Sequence, residues 1–274
     1  MSNYHNGTSV ELSSTIYVFN RTTEQFELFQ DLTTKGAVDW EHFTIDGTDF
    51  LAVCNHQDGD TYSSQSAVYR FNTTKQKFEP FQYIGTFGCV RWNYFTIGTS
   101  HFLAVANQYD DENVSYEVDS PIFRFNTTAN LFELFQAMPT VGANGWEHCK
   151  IGDADFLASA SLSNTTSEIF VFNEAVNRFV SFQNASIYGA SDWECFEVGI
   201  ETFLAASNGA QTMVYGFDDA TIQFEPAQEI DSPYSRRLEH FAVGDVDYLA
   251  IASWEWRSSA GTLDIYQFNS FCFS

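Results

Sequence analysis

Hydrophobic and polar residues alternate along the chain in short runs, and one pattern of sixteen residues recurs five times. Its first copy, WEHFTIDGTDFLAVCN, occupies 40–55. The other copies occupy 92–107, 146–161, 193–208 and 238–253. Five copies in one chain predict a repeat fold, so the architecture is best derived from the repeat.

Each repeat contains four segments with strand character. In the first complete copy they occupy 40–45, 50–55, 67–72 and 77–82, and we call them segments A, B, C and D. All four are rich in aromatic and β-branched residues and are bounded by Gly, Asn, Asp or Thr, which is typical of short strands between turns. No stretch shows a sustained helical period. The pattern therefore predicts an all-β fold.

Three of the four spacings in the repeat are constant. Segment B begins ten residues after segment A in all five copies, and the Phe of segment D lies six residues after the end of segment C. Nine residues separate the Gln of segment D from the next segment A. Only the connection between segments B and C varies in length. A constant frame with one variable loop is typical of a packed scaffold whose functional residues lie in that loop.

Four antiparallel strands that recur every 45–54 residues predict a β-propeller of four-stranded blades. A solenoid is the alternative, but its repeats are usually shorter or helical. We interpret 1–274 as a single domain with a partial blade at each end and four complete blades between them. The blades occupy 1–30, 40–82, 92–136, 146–183, 193–228 and 238–274.

The four segments together resemble a known repeat. WEHF at 40–43, FLAVAN at 102–107, AVYRFN at 67–72 and KFEPFQ at 77–82 are similar to the EAR repeat, also called the EPTP or epitempin repeat. This repeat occurs in the leucine-rich glioma-inactivated proteins and in other EAR-repeat extracellular proteins. The resemblance implies a seven-bladed extracellular propeller that binds other proteins and has no known enzymatic activity. The leucine-rich repeats of the glioma-inactivated proteins are absent here, so the resemblance does not imply that this chain binds the same receptors.

The chain has fewer strands than a propeller of that family needs. It supplies about 21 strands, or five to six blades, where seven blades need about 28. We therefore expect an incomplete seven-bladed ring from a longer secreted protein, which also accounts for a start without the apolar core of a signal peptide. The alternative is a smaller closed ring whose edges are completed by 1–6 and 270–274.

The charge of the chain is strongly acidic. Twelve Lys and Arg face 36 Asp and Glu, which gives a net charge of -24. Such a surface repels nucleic acids and anionic membranes, and it suits basic protein patches or divalent cations. No apolar run is long enough to span a bilayer. We therefore expect an extracellular or cell-surface protein as partner, with no nucleic acid and no membrane insertion.

Seven Asn residues begin an Asn-x-Ser/Thr acceptor sequence for N-glycosylation. They are Asn6, Asn20, Asn72, Asn113, Asn126, Asn164 and Asn184. This density favours a secreted glycoprotein. The alternative is that Asn-Thr-Thr serves as turn chemistry, although such sequences also fall outside the repeated turn. The five Cys residues share no repeat position, so we interpret most of them as small core residues. No disulfide framework is predicted, although the odd count permits one or two bridges.

Two aromatic positions recur in segment A. Trp begins the segment in four copies, and its size and fixed position predict a place in the core. His recurs two residues later in three copies, where three imidazoles could meet a metal ion. The strand alternation puts these His residues on the same side as Trp and favours packed, hydrogen-bonded histidines. The residues are Trp40, Trp92, Trp146, Trp193, His42, His148 and His240.

A Glu follows the first residue of segment A in four copies: Glu41, Glu147, Glu194 and Glu239. Innermost strands of a propeller bring such positions into a ring, where carboxylates repel one another unless a cation intervenes. Calcium, a hard cation, would suit these oxygen ligands and is the one cofactor that the sequence suggests. The alternative is that each Glu accepts backbone N–H groups or pairs with an Arg. The acidic loops at 58–60 and 110–113 could also hold a cation, and the alternative is that their carboxylates are simply solvated.

The sequence contains no catalytic motif: G-x-S-x-G, H-E-x-x-H, a phosphate loop and a dinucleotide fingerprint are all absent. We therefore predict a non-enzymatic interaction module. A propeller-type carbohydrate-active enzyme or lectin is the alternative, and it would need acidic residues converging at the channel mouth.

A contact site is predicted in the last variable loop. Trp254, Trp256 and Arg257 lie just after the last segment B, and no acceptor sequence for a glycan falls in that loop. Trp and Arg are the residues most enriched at binding hot spots. The alternative is that the strand continues and buries one Trp, because a period of two puts both on one face.

Overall fold

The structure is a computed structural model that describes residues 9–162, 167–185, 187, 189–254 and 261–267. Every helix or strand assigned in these residues is a β-strand, and there are 21 strands, in agreement with the number expected from the repeat. No described helix could cross a bilayer. In chain order the strands are β1 Glu11–Asn20, β2 Gln25–Lys35, β3 Ala37–Ile45, β4 Thr48–Asn55, β5 Ser63–Asn72, β6 Lys77–Phe87, β7 Cys89–Ile97, β8 Ser100–Asn107, β9 Glu117–Asn126, β10 Leu131–Val141, β11 Ala143–Ile151, β12 Ala154–Ser161, β13 Ser167–Asn173, β14 Arg178–Ala185, β15 Asp192–Val198, β16 Glu201–Ser207, β17 Gln211–Asp218, β18 Gln223–Asp231, β19 Ser235–Val243, β20 Val246–Trp254 and β21 Gly261–Gln267.

Consecutive strands pair into separate sheets. Four sheets have four strands each, namely β3–β6, β7–β10, β11–β14 and β15–β18, while β1–β2 form a two-stranded sheet and β19–β21 a three-stranded one. Each sheet is a meander in which neighbours in sequence are neighbours in space. This is the blade architecture of a β-propeller, and it confirms the predicted fold class. The chain divides into two compact units, 1–143 and 144–274.

In the first unit, single glycines rather than longer loops join one sheet to the next. β2 ends at Lys35 and β3 begins at Ala37, so most of the nine residues between segments D and A belong to strands. Gly36 and Gly88 occupy this link with φ angles of +53° and +55°. A Cβ at Gly36 would lie 3.1 Å from the carbonyl oxygen of Gln57. Both the positive φ and the close backbone approach therefore require glycine.

The core of the first unit lies between the faces of adjacent sheets. Phe43 and Phe50 of one sheet pack with Trp92, Leu103 and Phe132 of the next. The rings of Phe43 and Phe50 are stacked with centroids 5.4 Å apart. The first-strand Trp residues are buried as predicted at 92, 146 and 193, while Trp40 is half-buried. The second unit repeats this pattern, with Trp193 and Phe224 in one cluster and Phe196 with Leu238 in another.

Each outer strand contains a bulge just before its Gln. Val68 pairs with Gln82 and Tyr69 pairs with Pro80, so Phe81 is the extra residue in β6. The same one-residue shift occurs in the pairs β1–β2, β9–β10, β13–β14 and β17–β18. A bulge redirects the side chains that follow it, and the Gln after three of these bulges has a particular role described below.

The structure contains two disulfides, a number that the five cysteines permit but that the sequence did not predict. Cys54 at the end of β4 is bonded to Cys89 at the start of β7, with Cα atoms 5.2 Å apart. Cys149 of β11 is bonded to Cys195 of β15, with Cα atoms 5.5 Å apart. Both bonds join one sheet to the next. The cysteines share no repeat position because the two sides of such an interface are formed by different positions of the repeat.

Candidate functional site

The variable loops of the first unit lie side by side. Loop 56–62 connects β4 to β5, and loop 108–116 connects β8 to β9. The Asp111 Oδ1 atom accepts hydrogen bonds from the Thr61 Oγ1 atom at 3.3 Å and from the Tyr62 backbone N–H at 3.1 Å. One carboxylate therefore fixes two loops of adjacent sheets against each other.

Four aromatic side chains form a continuous row across these loops, which we call the aromatic row. His56 meets Tyr62 with ring centroids 5.1 Å apart, and Tyr62 meets Tyr109 at 5.4 Å, both edge to face. Tyr109 meets Tyr116 at 4.9 Å. Tyr116 is 51% exposed, and the other three rings are half-buried. The row therefore leads from a packed end at His56 to an open end at Tyr116.

The two loops have a strongly acidic edge. They and the first residue of β9 contribute six carboxylates and no Lys or Arg: Asp58, Asp60, Asp110, Asp111, Glu112 and Glu117. Lys35, in the neighbouring β2, pairs with Asp58 at 2.7 Å. Within the described part of the chain, that is the one ion pair formed by these six groups. Asp60, Glu112 and Glu117 are exposed, so the edge has unneutralised negative charge.

Val114 adds an exposed apolar side chain in a strained backbone conformation. Its φ is +51°, and its side chain is 76% exposed. The turn is closed by the hydrogen-bonded pair Asp110 and Ser115, with N···O distances of 2.9 Å in both directions. A β-branched residue is disfavoured at positive φ, where Gly or Asn would fit without strain. The β-branched Ile222 has a similar φ of +55° in the turn between β17 and β18, so this conformation alone does not assign Val114 to a binding site.

Three of the four predicted metal-binding Glu residues accept hydrogen bonds from backbone N–H groups. Glu41 Oε1 accepts from the Tyr94 N–H at 3.0 Å, Glu147 Oε1 from the Cys195 N–H at 3.3 Å, and Glu194 Oε1 from the His240 N–H at 3.0 Å. In each case the donor lies on the first strand of the next sheet. We call this contact the carboxylate clasp. Asp39 and Asp192 make the same kind of bond to Trp92 and Leu238.

The carboxylate clasp corresponds to the alternative interpretation of these Glu residues. Glu239, the fourth one, is exposed. Among the described residues, no group of three or more His, Cys, Asp or Glu side chains is arranged to hold a metal ion. Calcium binding at these four positions therefore remains a prediction that the described geometry does not support.

Burial changes the acidity of the clasp carboxylates in the first unit. Burial raises the pKa of Glu41 to about 7, although the hydrogen bond from Tyr94 opposes the change, and the charge of Asp39 raises the pKa further. Burial also raises the pKa of Asp39, against the hydrogen bond from Trp92. Two buried carboxyl groups between adjacent sheets therefore give this interface a dependence on pH.

The histidines of segment A are hydrogen-bonded, as favoured from the sequence. The His148 Nε2 atom lies 3.0 Å from Asp155 Oδ1, and the His240 Nε2 atom lies 3.0 Å from Asp247 Oδ1. His240 also stacks on Phe196 of the preceding sheet, with centroids 4.8 Å apart. His42 makes the same bond to Asp49, but its side chain is 59% exposed. His42 is therefore hydrogen-bonded but not packed inside an interface between sheets.

The Gln that ends segment D has a role that sequence reasoning missed. The Gln82 Nε2 atom donates to the Phe132 carbonyl oxygen at 2.8 Å, and the Phe132 N–H donates to the Gln82 Oε1 atom at 2.8 Å. Gln30 binds Phe78 in the same way, and Gln183 binds Phe224. We call this contact the glutamine clasp. Its signal in the sequence was the Phe-Gln pair that ends four of the five copies of segment D, but the partner lies one repeat further along.

Three of the predicted glycosylation residues organise tight turns. The Asn72 Oδ1 atom accepts from the backbone N–H groups of Thr74 and Lys75, and its Nδ2 atom donates to Glu79. Asn20 and Asn126 make equivalent bonds. Asn173 and Asp218 cap the same turn with no acceptor sequence after them. The turn alone therefore accounts for an Asn at this position.

The other predicted site residues lie in several places. Asn113 and Asn184 are exposed, and Asn113 donates to Asp110 at 2.6 Å. Trp254 ends β20 and is 48% exposed. Asn6, Asn164, Trp256 and Arg257 lie outside the described residues.

A family model described as the EPTP domain matches four consecutive parts of the chain, residues 25–72, 77–126, 131–173 and 178–216. Each match begins in the last strand of one sheet and extends into the first three strands of the next.

Two curated relatives are named thrombospondin-type laminin G domain and EAR repeat-containing protein. The one from Homo sapiens is 37% identical over 154 residues, which cover 56% of this chain and 23% of the relative. The one from Mus musculus is 38% identical over 204 residues, which cover 54% of this chain and 30% of the relative. The chain therefore spans less than a third of the length of each. Among solved structures, the Bombyx mori GH32 beta-fructofuranosidase BmSUC1 superposes with a TM-score of 0.48 at 13% identity, covering 84% of this chain and 60% of its own.

Proposed function

The chain belongs to the EPTP repeat family, and from this we propose that it is a non-enzymatic extracellular module that binds other proteins. One observation carries the proposal. Glu and Gln side chains that recur among the repeats bind the main chain of the next sheet at six positions, while several side chains of the variable loops 56–62 and 108–116 are exposed. This division supports a constant frame that presents variable contact surfaces.

The described acidic residues support binding rather than catalysis. An acid–base enzyme on this fold would need paired carboxyl groups that reach a substrate. Glu41, Glu147 and Glu194 accept hydrogen bonds from main-chain N–H groups instead. The carbohydrate-active enzyme or lectin considered from the sequence gains no specific support from this geometry.

Two further features support an extracellular location. Two disulfides join adjacent sheets, and such bonds form and persist in oxidising compartments. The relatives combine EAR repeats with a thrombospondin-type laminin G domain in their names. The net charge of -24 favours a partner with a basic surface.

We also propose that the segment after β20 contacts the partner protein. Trp254 is 48% exposed at its start, and Trp256 and Arg257 follow in the sequence. Trp and Arg provide large contact area together with a polar group, which is why they are enriched at hot spots. We expect Trp256→Ala and Arg257→Ala to weaken partner binding while the melting temperature stays within a few degrees.

The proposal is tested by screening the secreted chain, displayed as a multimer, against a panel of purified ectodomains. A hit is then titrated with the monomeric chain. We expect saturable binding to at least one ectodomain, weakened by salt. Glycoside substrates are assayed with the same preparation. Turnover of any substrate, or the absence of any saturable protein binding, would contradict the proposal.

A further inference from the structure

The aromatic row is a partly exposed feature of the described residues that the repeated contacts between sheets do not explain. Its rings belong to two loops whose lengths vary among the repeats, whereas the carboxylate and glutamine clasps recur. Tyr116, at the open end of the row, is 51% exposed, and the nearby Val114 is 76% exposed. These apolar surfaces remain in contact with water and therefore contribute little hydrophobic stabilisation to the fold.

The charge around the row restricts what it could bind. Six carboxylates surround four aromatic rings in the two loops and β9, and the described chain neutralises one of the six, Asp58, with Lys35. An anionic membrane or nucleic acid would be repelled. A purely apolar partner would leave exposed carboxylates such as Glu112 and Glu117 to be desolvated without a counter-charge. The surface therefore favours a cationic partner that also has a flat apolar face.

Arginine has both properties. Its guanidinium stacks on tyrosine faces and binds carboxylates with two hydrogen bonds, whereas a lysine ammonium does neither as well. The centroids of Tyr62, Tyr109 and Tyr116 are separated by 5.4 and 4.9 Å. Side chains two apart on an extended strand lie about 6.6 Å from each other. An extended segment can therefore place alternate side chains over neighbouring parts of the row.

We propose that the aromatic row and the acidic edge form a docking site for an extended, arginine-rich segment of the partner protein. This inference rests on the proposed function, since it names the chemistry that the partner would present to these loops. The guanidinium groups lie over the tyrosine faces and bind the carboxylates of Asp60 and Glu112. The aliphatic part of one arginine covers Val114.

The loops are held ready for such a segment before it binds. Asp111 bonds to Thr61 and Tyr62 across the two loops, and Gly88 donates to the Tyr62 carbonyl oxygen at 2.7 Å. A Cβ at Gly88 would lie 3.2 Å from the Tyr109 backbone nitrogen. The positions of Tyr62 and Tyr109 are therefore fixed by backbone contacts, which lowers the entropy that binding must offset.

The test uses the full chain and a fluorescein-labelled Arg-Gly repeat peptide, titrated by fluorescence anisotropy. A peptide with citrulline in place of arginine keeps the shape and removes the charge. We expect saturable binding of the arginine peptide and at least about tenfold weaker binding of the citrulline peptide. If the arginine peptide does not bind saturably, or the citrulline peptide binds equally well, the proposal is wrong.

Two loop variants separate the row from the overall charge. Tyr116→Leu removes the ring but keeps an apolar side chain, and we expect about fivefold weaker binding, while Tyr116→Phe binds like the wild type. Glu112→Gln should weaken binding about twofold and reduce its salt dependence. The matched controls are Tyr83→Leu, at a tyrosine that is 57% exposed on β6, and Asp245→Asn, at an exposed acid between β19 and β20.

The control variants decide the outcome. Unchanged binding in both control variants, with weaker binding in Tyr116→Leu, supports the docking site. Equal losses in Tyr116→Leu and Tyr83→Leu would reduce the effect to nonspecific attraction and would overturn the inference. If an ectodomain found in the screen binds Tyr116→Leu and Glu112→Gln as tightly as the wild type, the docking site is wrong while the proposed function stands.

Discussion

Replacing Gln82 by leucine should lower the free energy of unfolding by about 2–4 kcal/mol. The variant loses two hydrogen bonds, each with a donor–acceptor distance of 2.8 Å, to the main chain of Phe132. A hydrogen bond contributes about 1 kcal/mol net, and a partner left unsatisfied in a buried place costs about 1–3 kcal/mol. Gln82 is half-buried, so water reaches the site in part and keeps the total in this range. Leucine retains the apolar contacts of the side chain.

Two further variants isolate the hydrogen bonds. Gln65→Leu makes the same chemical change at an exposed position of the same sheet, and it should change the free energy of unfolding by less than about 0.5 kcal/mol. Gln82→Glu keeps an acceptor for the Phe132 N–H but places a carboxylate oxygen against the Phe132 carbonyl. Protonation restores a donor there, so this variant should regain stability relative to the wild type as the pH falls.

Urea unfolding monitored by tryptophan fluorescence measures the change, with the slope of the transition required to stay constant. Hydrogen exchange at the Phe132 amide gives a local measurement, and we expect faster exchange in Gln82→Leu. Gln30→Leu and Gln183→Leu repeat the experiment at equivalent clasps. If Gln82→Leu matches Gln65→Leu in both measurements, the glutamine clasp contributes nothing to stability and the reasoning is refuted.

Three more predictions follow from the interfaces and turns. Burial raises the pKa of Glu41 from 4.5 to about 7, so the folded chain binds more protons between these values and stability should fall by up to about 3 kcal/mol as the pH rises through them; Glu41→Gln should remove this dependence in urea melts. Replacing Cys54 and Cys89 by alanine should lower the free energy of unfolding by about 3–4 kcal/mol, given their separation of 35 residues. Thiol titration of the denatured, unreduced wild type should find one free cysteine of five. Three or more free thiols would contradict the two disulfides. Glycopeptide mass spectrometry of chain secreted from a eukaryotic host should find a glycan at Asn72 and at its equivalents in two other turns, and empty sites at all three would remove that support for secretion.

The sequence predicted the fold because the determining pattern is local. Alternation of apolar and polar residues sets each strand, and constant spacings set the hairpins. The buried Trp92 and the turn-forming Asn72 could both be assigned from their position within one repeat. The structure confirms the burial of Trp92 and shows that Asn72 has the turn role that was the alternative to glycosylation.

The contacts between sheets could not be derived in the same way. Cys54 bonds to a residue 35 positions later, and Gln82 binds one 50 positions later. The two cysteines of each bond occupy different positions of the repeat, and the Gln82 partner contributes its main chain rather than its side chain, so comparison of the copies did not pair them. The sequence also could not decide whether Glu41 binds a cation or a backbone N–H group. Almost every residue carries a backbone N–H, so no residue type in the sequence marks the partner that Glu41 binds.

The clasps have a consequence for how such a chain can grow. Carboxylate and glutamine clasps bind main-chain N–H and C=O groups, so they do not distinguish one neighbour from another. Three of the four EPTP matches end just before a tight turn of the same kind, at 73–76, 127–130 and 174–177. Duplication or loss of a whole repeat at these turns would rejoin strands of the same type and recreate both clasps with a new neighbour. The disulfides are different, since each cysteine needs its own partner, and they fix the order of the sheets that they join.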